Sequence, residues 1–128
     1  MRAILDTHVF LWWNMGAPQL SAIAREFISN TANELFLSAA CAWEIAIKCA
    51  RGRLTLPELP ETYVARRMAA QHILPLPVQV SHALHVYSLP EIHQDPFDRI
   101  LIAQSHLEDL PIITADLTIA QYEVDVIW

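Results

Sequence analysis

Short apolar runs alternate along the chain with longer stretches in which apolar positions recur at helical spacing. Ala3-Ile4-Leu5 and Leu35-Phe36-Leu37 are continuous runs of the kind that fill strands buried on both faces, and Pro111-Ile112-Ile113-Thr114 is a third. Ile73-Leu74 with Leu76 predicts another strand, interrupted by prolines, and residues 124–128 a fifth. Between the strands, Ser21 is placed to cap a helix with Ile23, Phe27 and Ile28 at core spacing. Ser38 is placed to cap another, which carries Trp43, Ile45, Ile47 and Cys49 and ends near Gly52. Residues 54–60 form a Pro-punctuated loop, and helical spacing returns over 61–71 and 77–88. Asp95-Pro96-Phe97-Asp98 is a strong helix start, with Asp as cap, Pro at the first helical position and an acid in the first turn. Strands alternating with helices predict an α/β fold around a mainly parallel sheet of four or five strands. With 128 residues, no linker-like stretch and no internal repeat, one domain over 1–128 is expected.

Composition adds an interface to this picture. The hydrophobic share, 54%, exceeds that of an average soluble domain, so some apolar surface is expected to meet a partner or a second copy. No run approaches the roughly 20 apolar residues of a membrane span, and the chain enters its first strand with no signal-type segment. Cys41 and Cys49 lie on one predicted helix about 12 Å apart, too far for a disulfide. Free thiols suit the cytoplasm, where the protein is expected.

The net charge of −6 argues against a general nucleic-acid binder, which carries a basic footprint. It leaves room for a nuclease whose acids gather around a metal. Of the eight basic residues, five (Lys48, Arg51, Arg53, Arg66 and Arg67) fall within one stretch, enough for a local phosphate-binding stripe.

Four acids share one kind of location. Asp6 follows the first strand, Glu44 lies early in the helix after the second, Asp98 opens a late helix, and Asp116 follows the fourth strand. In parallel α/β folds that rim, beyond the carboxyl ends of the strands, is where ligands bind. Each acid also has a bland explanation. Asp6 and Asp116 could each cap the next helix or turn, Glu44 and Lys48 form an ordinary i, i+4 pair, and Asp98 complements a helix dipole. Those explanations do not account for the shared rim. Clustered carboxylates repel one another unless a cation or protons intervene, and oxygen-only ligation selects Mg²⁺ or Mn²⁺.

Taken together, these segments resemble the PIN-domain family, and in particular the VapC-type toxins of bacterial toxin–antitoxin pairs. The resemblance rests on five blocks: Leu5-Asp6-Thr7-His8 with Leu11-Trp12; Ser38-Ala39-Ala40 with Trp43-Glu44-Ile45 and Lys48; Gly52-Arg53-Leu54; Asp95-Pro96-Phe97-Asp98-Arg99 with Leu101-Ile102-Ala103-Gln104; and Ile113-Thr114-Ala115-Asp116. It implies a single α/β/α sandwich and an Mg²⁺-dependent endoribonuclease, with Mn²⁺ as an alternative ion. Asp6, Glu44, Asp98 and Asp116 are then the catalytic and metal-binding acids. Thr7, Asp95 and Thr114 support them. Asp98 rather than Asp95 takes the third position by its spacing to the stretch from Ile100 to Gln104. Bound metal would orient the scissile phosphate and activate a water for in-line attack. Lys48, Arg51, Arg53 and Arg99 are expected to meet RNA phosphates. The implied partners are RNA, a cognate antitoxin that inserts a basic side chain into the acidic site, and a second copy in a homodimer.

Other chemistries fit less well. His82, His85 and His93 suggest zinc, but no cysteine lies beside them. His8 is expected to pack or hydrogen-bond rather than act as a base. A response-regulator receiver needs a late lysine, and none follows Lys48. A haloacid-dehalogenase-type phosphatase needs an acid where His8 stands. A binding-only PIN module and a single-stranded DNA nuclease stay open as alternatives.

Overall fold

The computed structural model describes residues 1–128. Its elements, in chain order, are β1 (Arg2–Leu5), α1 (Thr7–Met15), α2 (Ala22–Ser29), β2 (Glu34–Ser38), α3 (Ala39–Ala50), α4 (Pro60–Gln71) and β3 (Leu74–Leu76). After these come α5 (Val80–His85), a 3₁₀ turn (Val86–Ser88), α6 (Pro96–Glu108), β4 (Ile112–Ile113), α7 (Leu117–Ala120) and β5 (Val126–Ile127). The strands form one sheet in the order β3-β2-β1-β4-β5, and every pairing is parallel.

β1 lies at the centre because its sequence leaves it no polar face. Ala3, Ile4 and Leu5 are all fully buried, and successive strand residues point to opposite faces, so both faces of the sheet are covered. Leu5 pairs with Leu37 on one side and with Ile113 on the other. That register brings the residues after β1, β2 and β4 to the same edge. The chain builds outward from β1 to β3, then crosses back to β4. The crevice between the ends of β1 and β4 is therefore the point where the strand order reverses.

The helix starts follow the capping residues in the sequence. Ser21 accepts the Ala24 N–H at 3.0 Å, Ser38 that of Ala40 at 3.0 Å, and Asp95 those of Phe97 at 2.8 Å and Asp98 at 3.3 Å. Past the end of α3, Gly52 adopts φ +71°, a left-handed conformation that a side chain would strain. The helix expected over 77–88 is shorter than its pattern. Val80, Leu84 and Tyr87 face solvent, while His82 is buried with its Nε2 2.9 Å from Glu108. The apolar stripe there belongs to the surface, not the core. Both cysteines are free, and Cys41 is wholly buried.

Candidate active site

Asp6 stands at the carboxyl end of β1 and does not cap α1 with its side chain. Its backbone N–H donates to Ile113 O at 3.0 Å, which ties it to β4. The Thr114 hydroxyl, next along β4, donates to Asp6 Oδ2 at 2.6 Å. Burial raises the Asp6 pKa above the ordinary carboxylate value; the Thr114 hydrogen bond opposes that, and the Glu44 charge adds to it.

α3 supplies Glu44 from its buried face. Thr7 Oγ1 donates to Glu44 Oε1 at 2.8 Å, and Lys48 Nζ lies 2.7 Å from Oε2. Thr7 and Thr114 thus each hold one acid, from two different strand ends. Beneath them the Cys41 Sγ donates to Leu5 O at 3.7 Å, and burial pushes its thiol far up. It is a core residue and no nucleophile.

Asp98 comes from the first turn of α6. Burial, then the charges of Asp6, Asp95, Glu44 and Asp116, push its pKa up to about 8. Asp95 spends its carboxylate on the α6 N-terminus, so the two acids of this segment have divided the cap and the site between them. Asp116 caps α7 by accepting the Thr118 N–H at 2.9 Å. Its partial burial favours protonation, but His93 and the Thr118 amide outweigh that and lower its pKa.

His93 is the site residue that the sequence did not reveal as one. Its Nε2 lies 3.0 Å from Asp98 Oδ2 and 2.8 Å from Asp116 Oδ2, and its Nδ1 accepts the Asp95 N–H at 3.1 Å. The three ligand-type atoms of His93, Asp98 and Asp116 all lie within 4.8 Å of one another. Its position two residues before Asp95 was the available signal. The zinc arrangement of His82, His85 and His93 does not form: His82 pairs with Glu108, and His85 with His106 at 3.2 Å. His8 stacks on Trp12 at 5.8 Å, at the mouth of an open cleft of about 300 Å³ lined by Asp6, His8, Trp12, Asp98, Ala115 and Asp116.

The basic residues divide. Arg51 and Arg53 are exposed beyond α3, and Lys48 is held by Glu44. Arg99, expected to meet RNA phosphates, is engaged within the fold. Its guanidinium is largely buried and donates to the carbonyls of Pro90 (3.0 Å), Val86 (3.1 Å), His93 (3.4 Å) and Leu89 (3.5 Å) and to the Tyr122 hydroxyl (3.3 Å). Arg99 clamps the segment before α6 with both of its terminal nitrogens.

The donor set suits a hard cation. Oxygen atoms of several carboxylates converge, and the charge on Asp98 is disfavoured until something positive compensates it.

Comparison with known proteins identifies the fold and the family. The chain is 40% identical over 72 residues to Ribonuclease VapC16 of Mycobacterium tuberculosis, a match covering 53% of this chain and 51% of the relative. The match thus spans about half the length of that curated relative. Among solved structures, the fold resembles VapBC2 from Rickettsia felis bound to a DNA fragment from its promoter. That likeness has a TM-score of 0.74 and 10% identity, covering 98% of this chain and 97% of the other. FitAcB from Neisseria gonorrhoeae gives a TM-score of 0.62 at 18% identity, covering 98% and 96%. Residues 3–125, carrying all the acids described above, match the PIN domain model, and the chain belongs to the PIN domain family.

Proposed function

We propose that this protein is a metal-dependent endoribonuclease that acts as the toxin of a VapC-type toxin–antitoxin pair. The observation that carries the reading is the convergence of Asp6, Glu44, Asp98 and Asp116, from four separate elements, on the edge of the sheet where its strand order reverses. Likeness to a protein named as a ribonuclease supports the reaction, and likeness to the VapBC2 and FitAcB structures supports a cognate antitoxin.

Asp6 and Asp98 would hold the cation, with Glu44 and Asp116 completing the acidic rim. Mg²⁺, or Mn²⁺ in its place, would supply charge neutralisation at the phosphate and lower the pKa of a water. Thr114 and Thr7 keep Asp6 and Glu44 in fixed orientations, so the site needs little rearrangement to receive its ligand. Arg51 and Arg53 are the free cations beside the site-bearing helix, and they contact the RNA backbone. Charge reversal at both is expected to weaken RNA binding and flatten its salt dependence; unchanged binding removes them from the interface. The antitoxin places a basic side chain among the acids, the protein works in the cytoplasm, and the apolar surface around Trp43 and Phe97 pairs two copies into a homodimer.

The test is cleavage of a mixed single-stranded RNA pool by wild type and Asp98→Asn, with Mg²⁺ or with EDTA. Cutting by wild type with Mg²⁺ alone, and a loss of a hundredfold or more in Asp98→Asn, are expected, roughly the scale of removing one transition-state charge stabiliser. Wild type that cuts equally well in EDTA removes the metal mechanism. Wild type that cuts only single-stranded DNA moves the activity to deoxyribonuclease, and one that cuts neither leaves a binding module.

A further inference from the structure

The acids explain a cation at the rim, but they contribute no attraction of their own for an RNA strand. The chain carries a net charge of −6, Lys48 is paired with Glu44 at 2.7 Å, and the terminal nitrogens of Arg99 are engaged with carbonyls. A phosphate backbone approaching this rim meets carboxylates of its own sign. Contacts that do not depend on charge must therefore supply part of the affinity.

α1 presents a surface of that kind. Thr7, Val9, Phe10 and Leu11 are its buried face. His8 and Trp12, four residues apart, share another face, His8 exposed and Trp12 half-buried. Their ring centroids are 5.8 Å apart and their planes meet at 40°. Trp128, which follows the parallel strand β5 and so stands at the same edge of the sheet, packs against Trp12 with centroids 6.1 Å apart. The indole is thus braced in place. The cleft of about 300 Å³ that these rings border has walls of two kinds, acidic at Asp6, Asp98 and Asp116 and aromatic at His8 and Trp12. A nucleotide is divided in the same way, into a charged phosphate and a flat base whose faces stack on aromatic rings. The other exposed aromatic pair, Trp43 and Phe97, lines a cleft that includes none of the four acids.

Resting on the ribonuclease reading above, we propose that His8 and Trp12 form a stacking wall that takes an unpaired nucleobase of the RNA beside the scissile phosphate. Trp12 gives the base its broad, braced face, and His8 closes the outer side. Every base has such a face, so the wall registers that a base has left its stack and not which base it is. Holding the base also fixes the neighbouring phosphate against the acids.

The experiment maps a cut made by wild type in a single-stranded RNA with Mg²⁺, then measures kcat and KM on that RNA and on copies made abasic at single positions within three nucleotides of the cut. Wild type, Trp12→Ala, Trp12→Phe and His8→Ala are compared, each first checked for a cooperative thermal melt. One position beside the cut is expected to lose about tenfold in kcat/KM when its base is removed. Trp12→Ala is expected to lose about tenfold on the intact RNA, chiefly through KM, and less than about twofold further on the RNA abasic at that position, because base and indole make one contact. Trp12→Phe, which keeps an aromatic face, is expected between wild type and Trp12→Ala, and His8→Ala is expected to show a smaller loss at the same position. Losses that multiply at every abasic position overturn the proposal, and so does Trp12→Ala that cuts intact RNA as well as wild type. A scan of wild type in which no base removal slows cutting overturns it whatever the variants do. The same RNA with 5-bromouridine at that position, irradiated with wild type in EDTA, is expected to crosslink to His8 or Trp12; a crosslink to Trp43 instead overturns the assignment. Wild type that cuts no RNA overturns the ribonuclease reading itself, whereas cutting that is indifferent to Trp12 overturns this proposal alone.

Discussion

Asp98 keeps its proton to about pH 8, against 3.8 for an ordinary aspartate, because it is buried beside Asp6, Asp95, Glu44 and Asp116. An unfolded chain loses that proton near its ordinary value. Between about pH 4 and pH 8 the folded state thus binds one more proton than the unfolded state, and stability falls as pH rises through that range. The raised Asp6 pKa acts in the same direction. Thermal melts of the metal-free protein are therefore expected to shift down between about pH 5 and pH 8, and Asp98→Asn is expected to flatten the trend. Added Mg²⁺ is expected to restore most stability at the alkaline end, where the unpaired charges are fullest. A melting temperature that rises with pH in the metal-free protein contradicts this account of the cluster.

At the scale of elements, what the sequence revealed was local. Caps and strand runs are written in neighbouring residues, so Ser21, Ser38 and Asp95 and the strands β1 and β2 could be read directly. Asp6, Glu44, Asp98 and Asp116 were legible because each follows such an element. The tasks of His93 and Arg99 were not, since they depend on Tyr122 and on a segment folded back from 86–93. A helical stripe also cannot say which way it faces, which is why the spacing over 77–88 did not reveal that Val80 and Leu84 are exposed. The Arg99 clamp predicts its own measurement. Arg99→Ala strands several carbonyls and is expected to cost about 3 kcal/mol in urea unfolding. A cost below about 1 kcal/mol indicates that water replaces the guanidinium freely.

Across the whole molecule, exposed apolar side chains gather on one side of the rim. Trp43 is 64% exposed and meets Phe97 edge-on at 5.2 Å, over a cleft of about 440 Å³ that also takes in Ala39, Ala40, Val78 and Pro96. Patches of this kind mark contact surfaces. Trp43→Glu is expected to convert a dimer to a monomer in sedimentation at micromolar concentration, with the fold retained. A dimer that survives the change places its interface elsewhere.

The hydrogen bond from Thr114 to Asp6 joins residues 108 positions apart, and the central strand that carries Asp6 has β4 as one of its two neighbours. During synthesis the amino-terminal part of a chain emerges first and begins to fold before the rest exists. A ribosome that has released Asp6 and Glu44 has not yet supplied Asp98, Thr114 or Asp116, so the nascent chain carries half of an acidic cluster and none of its closing contacts. Under the proposed ribonuclease function, this order of assembly would be protective. Cutting would become possible only after the last quarter of the chain has docked, and the proposed antitoxin would have had the whole period of translation to accumulate.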